Sequence, residues 1–191
     1  GAKLAFAYQG EAIEKRVRPL AAELGSNLLI DCDVSEMASL DHAFATLRQT
    51  WDSLDFVVHA IGFSDKNELR GKYVETSLDN FLMTMNISVY SFVAVAERAR
   101  AMMKPGGSLL TLTYYGAEKV IPHYNVMGVA KAALEASVKY LAVDLGRVPV
   151  EPQRVFHPPP PERQPARARL PRPESPPDQF LAVVFRGCGV P

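Results

Sequence analysis

Four short, nearly continuous apolar runs alternate with segments of helical spacing, and this alternation limits the architectures open to the chain. The runs are "KLAFAY" (3–8), "NLLIDC" (27–32), "LDFVVHA" (54–60) and "SLLTLTY" (108–114). Apolar residues recur at helical spacing over 11–24, 35–51, 78–104 and about 122–145. Runs that are apolar on both faces suit strands of a parallel sheet covered by helices on each side. Ile13, Val17, Leu20, Ala21 and Leu24 share one face of the first helix, and Gly25 stops it. Ser35 is a candidate N-cap for the second. The third is expected to end at Pro105-Gly106-Gly107, and a polar loop, "GFSDKNELRGKY", precedes it. The predicted fold is α/β, a Rossmann-like doubly wound parallel sheet.

The pattern stops at Gly146, so 1–146 reads as one domain and 147–191 as a tail. From Arg147 onward lie twelve of the fifteen prolines and seven arginines but no lysine, against eight lysines before it. Proline removes donors and breaks helices, and such a composition buries little apolar surface. Residues after about 150 are therefore expected to lack regular structure. A shifted reading frame in GC-rich DNA would produce so abrupt a switch. A proline-rich arm is the alternative, with "PPPPERQP" as a polyproline II ligand.

The formal net charge of zero gives no basic excess that would point to nucleic acid or an anionic membrane. No apolar run approaches ~18 residues, so no membrane span is predicted. The first residues carry too short an apolar run for a signal peptide, and the chain does not begin with Met. Cys32 and Cys188 lie far apart and read as reduced cytosolic thiols. The four histidines have no metal-ligand spacing, so no metal is expected.

In parallel sheets of this kind ligands bind beyond the carboxyl ends of the strands. Gln9, Asp33 and Val34, the trio Ala60-Ile61-Gly62, and Tyr114 follow strands. Each alone is also ordinary loop chemistry. Two tyrosine–lysine spacings follow the fourth strand, Tyr115-x3-Lys119 and Tyr124-x6-Lys131. Nothing fixes the geometry of the first. In the second, Pro122 suits a first helical turn, and seven residues are close to two turns. Tyr124 and Lys131 should then share a face, with the lysine leaning back toward the phenol. A nearby cation favours phenolate and would make the phenol a better acid. By spacing alone, a half-buried tyrosine with a solvated lysine is the stronger reading.

The segments "LAFAYQGEAIEKRVRPLAAELG", "DFVVHAIGF" and "GGSLLTLTYYGAEKVIPHYNVMGVAKAALEASVKYLAVDLG" resemble the bacterial enoyl-[acyl-carrier-protein] reductases. These are a branch of the short-chain dehydrogenase/reductase superfamily. The likeness runs from Gly1 to Gly146. Most of that superfamily uses Tyr-x3-Lys, whereas this branch uses Tyr-x6-Lys with a second tyrosine ten residues upstream, here Tyr114, Tyr124 and Lys131. The resemblance implies NADH-dependent reduction of a trans-2-enoyl thioester on acyl carrier protein, in cytoplasmic fatty-acid synthesis, by a homotetramer. It implies that Tyr124 meets the thioester oxygen and that Lys131 holds the nicotinamide ribose. Tyr114, Phe63, Leu69 and Met127 would line the acyl pocket. Gln9 would sit by the adenosine ribose, Asp33 and Val34 would bracket adenine, and Ala60, Ile61 and Gly62 would run along the cofactor. No arginine follows the first strand to take a 2′-phosphate, which favours NADH over NADPH.

The family also has a leading strand and a glycine-containing turn for the pyrophosphate, and a closing substrate segment, neither of which is seen here. Its leading strand lies mid-sheet, so a gap is expected between the first and third strands of this chain. On that reading the chain is an incomplete copy that binds NADH poorly. Two other readings stay open: a non-catalytic scaffold with a partner-binding tail, and a related reductase of another carbonyl or enoyl substrate.

Overall fold

In the computed structural model the described residues are 2–146 and the strand 182–186. The first half alternates as expected: β1 (Lys3–Tyr8), α1 (Gly10–Glu23), β2 (Leu28–Asp31), α2 (Met37–Thr50) and β3 (Leu54–His59). The predicted polar loop holds a one-turn helix, α3 (Lys66–Leu69), begun by Asp65, whose carboxylate accepts from Asn67 N–H. A 3-10 turn follows at Tyr73–Glu75. The long apolar helix is α4 (Leu78–Met85), a π-helical turn (Asn86–Tyr90) and α5 (Ser91–Arg100). β4 (Met103–Thr111), a 3-10 turn at Tyr115–Ala117, α6 (Asn125–Leu145) and β5 (Ala182–Arg186) complete it.

The strands lie in the order β2-β1-β5-β3-β4. β1 and β2 are parallel, as are β3 and β4, but β5 runs antiparallel to both of its neighbours. The sheet is thus mixed, and the expected gap between the first and third strands is filled. Two facing strand edges carry rows of unpaired N–H and C=O groups, and a strand between them satisfies both rows at once. The expectation of no regular structure after 150 is corrected at 182–186; residues 147–181 and 187–191 lie outside the described part.

Residue alternation along β1 builds the core on both faces. Ala5 joins Ile30, Leu40, Phe44, Leu47, Val57, Val95 and Ala99 under α2 and α5. Phe6 points the other way, onto Val17 and Ala21 of α1. Val89 and Phe92 meet Ala130 and Leu134 where α5 packs on α6. The run Leu78–Arg100 is long and apolar enough to cross a membrane by length and composition, against the sequence reading. Here its buried face, with Phe92, Ala94, Val95, Ala96 and Ala99, is part of this core.

Several boundaries moved for local reasons. Ser35 does not cap α2; its hydroxyl donates to Asp33 Oδ1 at 2.6 Å, and Glu36 takes the cap position. Pro105-Gly106-Gly107 lie inside β4 rather than ending a helix. Pro122 stays outside α6, whose N-cap is Tyr124.

Candidate active site

The carboxyl ends of β3 and β4 and the first turns of α6 meet at one place. Along α6, Met127, Ala130, Lys131 and Leu134 are buried, an i, i+3, i+4, i+7 stripe. Lys131 is therefore turned inward by the helical period, and it is only 7% exposed. Its ammonium donates to Leu112 O at 2.9 Å, just past β4. Burial lowers its pKa to about 8. Gly62, after β3, comes so close that a Cβ there would stand 3.5 Å from Lys131 Nζ and 3.4 Å from Met127 Cε.

Tyr124 stands edge-on to Tyr114, with ring centroids 4.9 Å apart and planes at 67°. Its ring also lies against Gly116, where a Cβ would fall onto Cδ1 and stand 2.7 Å from Cε1. Burial first, and Tyr114 second, push the Tyr124 phenol up to about 12. The expected acidification by Lys131 is not found: desolvation dominates, and the phenol stays a neutral O–H donor. Tyr115 and Lys119 pair with each other instead, the Lys119 ammonium 5.1 Å over the Tyr115 ring. Hydrogen bonding to Tyr115 raises the Lys119 pKa at a fully exposed position.

The segment after β3 is held from beneath by the π-helical turn. Ser88 Oγ accepts from Phe63 N–H at 3.0 Å and donates to Phe63 O at 3.1 Å, with Met127 Sδ 3.8 Å away. Ala60, Ile61 and Phe63 are half-buried along this edge. His59, wholly buried at the end of β3, bridges Ser91 Oγ (2.8 Å, from Nε2) and Thr111 Oγ1 (3.2 Å, from Nδ1). Both hydroxyls also donate to the backbone, Ser91 to Ile87 O at 2.6 Å and Thr111 to His59 O at 3.1 Å. Burial, with Lys131 nearby, lowers the His59 pKa to about 3. Leu69, on α3, is half-buried, and its carbonyl, with those of Glu68 and Gly71, accepts from Asn125 Nδ2 at 2.8–3.2 Å. Asn125 thereby ties α3 to the start of α6.

Sequence reasoning missed Ser88, Ser91, Thr111, His59 and Asn125. His59 had a signal, a polar residue inside an otherwise apolar strand run. A π-helical turn has no spacing signature, so Ser88 had none.

A second cleft, of about 500 Å³, opens at the ends of β1 and β2. Gln9, Gly10, Asp31, Asp33, Ser39, His42 and Thr46 are among its lining residues. Gln9 Nε2 donates to Asp33 Oδ2 at 2.6 Å, and Gly10 N–H to Asp31 Oδ1 at 2.9 Å. Val34 packs against the core beneath and is not among the residues lining the cleft.

Residues 1–151 match the family described as enoyl-(acyl carrier protein) reductase. Over 146 residues the chain is 65% identical to enoyl-[acyl-carrier-protein] reductase [NADH] 1 of Rhizobium meliloti (strain 1021), which covers 76% of this chain and 54% of that protein. The crystal structure of the Anaplasma phagocytophilum reductase in complex with NAD is similar at TM-score 0.73 and 61% identity, over 79% of this chain and 57% of that one. The Bacillus cereus reductase, crystallised with NADP+ and indole naphthyridinone, is similar at TM-score 0.76 and 48% identity, over 82% and 61%. The chain spans about half the length of the curated relatives it matches.

Proposed function

The chain belongs to the enoyl-(acyl carrier protein) reductase family, and on that premise we propose that the whole protein reduces the trans-2 double bond of enoyl thioesters on acyl carrier protein. NADH would be the reductant, in the cytoplasm, in bacterial fatty-acid biosynthesis. The observation that supports the reading is the Tyr124–Tyr114 ring pair at the start of α6, with Lys131 buried on the same helix and donating to Leu112 O just past β4.

Tyr124 is the proposed donor to the thioester oxygen. Its high pKa keeps the proton on the phenol at neutral pH, ready where negative charge develops. Tyr114 holds the Tyr124 ring by its edge. Phe63, Leu69 and Met127 are the proposed acyl contacts. When bound, the nicotinamide supplies the hydride. Lys131 is its proposed ribose partner: one of its three N–H donors goes to Leu112 O, and Gly62 leaves room beside it that a side chain would take. Ala60, Ile61 and Gly62 would flank the cofactor, with Gln9, Asp33 and Val34 at the adenosine end. Among the described residues, two carboxylates and no lysine or arginine line that cleft, which disfavours a 2′-phosphate and supports NADH over NADPH. Assembly as a homotetramer would cover the exposed Leu78, Leu82, Tyr140 and Val143 of the long helices.

The test is NADH oxidation with a crotonyl or longer enoyl thioester, by the parent protein and by Tyr124→Phe. Loss of one such donor should lower turnover by about two orders of magnitude. Unchanged turnover in Tyr124→Phe would remove the phenol from the reaction. Reduction of ketones but of no enoyl thioester would move the protein to another substrate class.

A further inference from the structure

We propose that Ser88 is a positioning residue: from the π-helical turn it fixes the backbone of Phe63 against Met127, and so sets where the acyl chain is received. The assignment rests on the proposed function and adds to it a residue that acts through another. Its basis is a polar stripe in an otherwise apolar helix. Asn80, Thr84, Ser88 and Ser91 are buried, none more than 4% exposed. Burying such groups is unfavourable unless each finds a partner, and the segment leaving β3 supplies partners in order. Ser91 meets His59, Ser88 meets Phe63, Thr84 donates to Ser64 Oγ at 2.9 Å, and Asn80 Oδ1 accepts from Asp65 N–H at 3.0 Å. The helix thus fixes the path of 59–65 along its length.

Ser88 is the member of the stripe that bears on the site. Its hydroxyl accepts from the N–H of Phe63 and donates to the C=O of the same residue, so one group holds the backbone on both sides of that side chain. Met127 Sδ lies 3.8 Å from the same oxygen. Two of the proposed acyl contacts, one after β3 and one on α6, therefore share a single buried anchor. The π-helical turn keeps the stripe in line. In a regular α-helix four residues overshoot one turn by about 40°, so positions 80, 84 and 88 would drift away from the segment they hold. The wider i→i+5 turn at Asn86–Tyr90 takes up that drift.

The test compares Ser88→Ala with Thr84→Val in the whole protein, by NADH oxidation with a crotonyl or longer enoyl thioester. Both variants delete a buried hydroxyl from the same stripe, but only the first releases the Phe63 backbone. Ser88→Ala should raise the KM for the thioester roughly 10-fold, the factor carried by one or two modest hydrogen bonds. Its kcat should change far less, because Tyr124 is untouched. Thr84→Val should leave KM at the parent value. Loss of folded enzyme alone lowers the apparent kcat and leaves KM in place, so a purely structural role does not give this result. If Ser88→Ala does not fold, Ser88→Cys, which keeps the shape but bonds more weakly, takes its place with the same direction expected. An unchanged KM in the folded Ser88 variant, or an equal rise in Thr84→Val, overturns the assignment while leaving the proposed function standing. A parent that reduces no enoyl thioester overturns the proposed function itself, and this assignment with it.

Discussion

Lys131 donates its ammonium proton to the carbonyl oxygen of Leu112 across 2.9 Å, so a buried cation is tied to the backbone just beyond β4. The helical period of α6 puts the lysine on the inner face, and the strand end supplies the acceptor its charge needs. One hydrogen bond does not replace full hydration, and burial lowers the pKa to about 8.

That depression has a definite sign in stability. Below pH 8 the lysine is charged in both folded and unfolded chains, and the burial penalty is fully present. Between about 8 and the ordinary lysine value of 10.5, the unfolded chain holds the extra proton, so stability rises with pH. The gain should reach roughly 3 kcal/mol. Tyr124 then acts in reverse, because its pKa is raised to about 12, and stability falls from about pH 10 upward. Urea unfolding from pH 7 to 10 should show the rise in the parent and not in Lys131→Met. Parallel curves for the two would mean that the lysine is hydrated.

His59 makes the acid limb steep. Its folded pKa of about 3 lies below the ordinary 6.5, so its contribution is present above 6.5 and is lost as pH falls toward 3. His59→Gln loses neutral-pH stability through the Ser91 and Thr111 partners but should be much flatter between pH 6.5 and 4. An unchanged slope in the variant would place the acid sensitivity elsewhere.

How much of this was legible follows from what each residue's signal depends on. β1 to β4 could be read because strands buried on both faces must be continuously apolar. The inward turn of Lys131 was not read: spacing alone favoured a solvated lysine, although Met127, Ala130 and Leu134 share its buried stripe. The protonation of Tyr124 could not be read either: spacing suggests a neighbouring cation, whereas the pKa is set by how much ring is desolvated against Tyr114 and Gly116. β5 was hidden by the prolines around it. "LAVVF" is itself a strand-like run, but its pairing across the gap is long-range and leaves no local pattern.

Asn125 tests the link between α3 and α6. Its φ of 34° lies in the left-handed region, which asparagine tolerates better than most residues. Asn125→Gly keeps the backbone and loses the amide bonded to Glu68, Leu69 and Gly71. It should cost about 1–2 kcal/mol and speed hydrogen exchange over 66–71. Asn125→Ala should cost about 1 kcal/mol more through backbone strain. Equal losses in the two would show that the side chain, not the backbone, carries the whole effect.

Gly116 is the sharpest probe of Tyr124, because it acts on the phenol without touching it chemically. A Cβ at 116 would overlap Cδ1 of Tyr124 and stand 3.5 Å from Cδ1 of Tyr114, so the Tyr124 ring must leave its seat. Overpacking of this kind costs about 1–3 kcal/mol, little enough for the fold to survive. A displaced ring is less desolvated, so in Gly116→Ala the Tyr124 ionisation should fall from about 12 toward the ordinary 10. Phenolate absorbance against pH, with Tyr124→Phe as the blank, reads this directly. If Tyr124 is the donor, Gly116→Ala should also lower enoyl-thioester turnover by at least ~10-fold, within the two orders expected for losing the donor. Tyr124→Phe combined with Gly116→Ala should then lose little beyond Tyr124→Phe alone, since residues acting through one group are not additive. Fully additive losses would show that Gly116 serves some other part of the site.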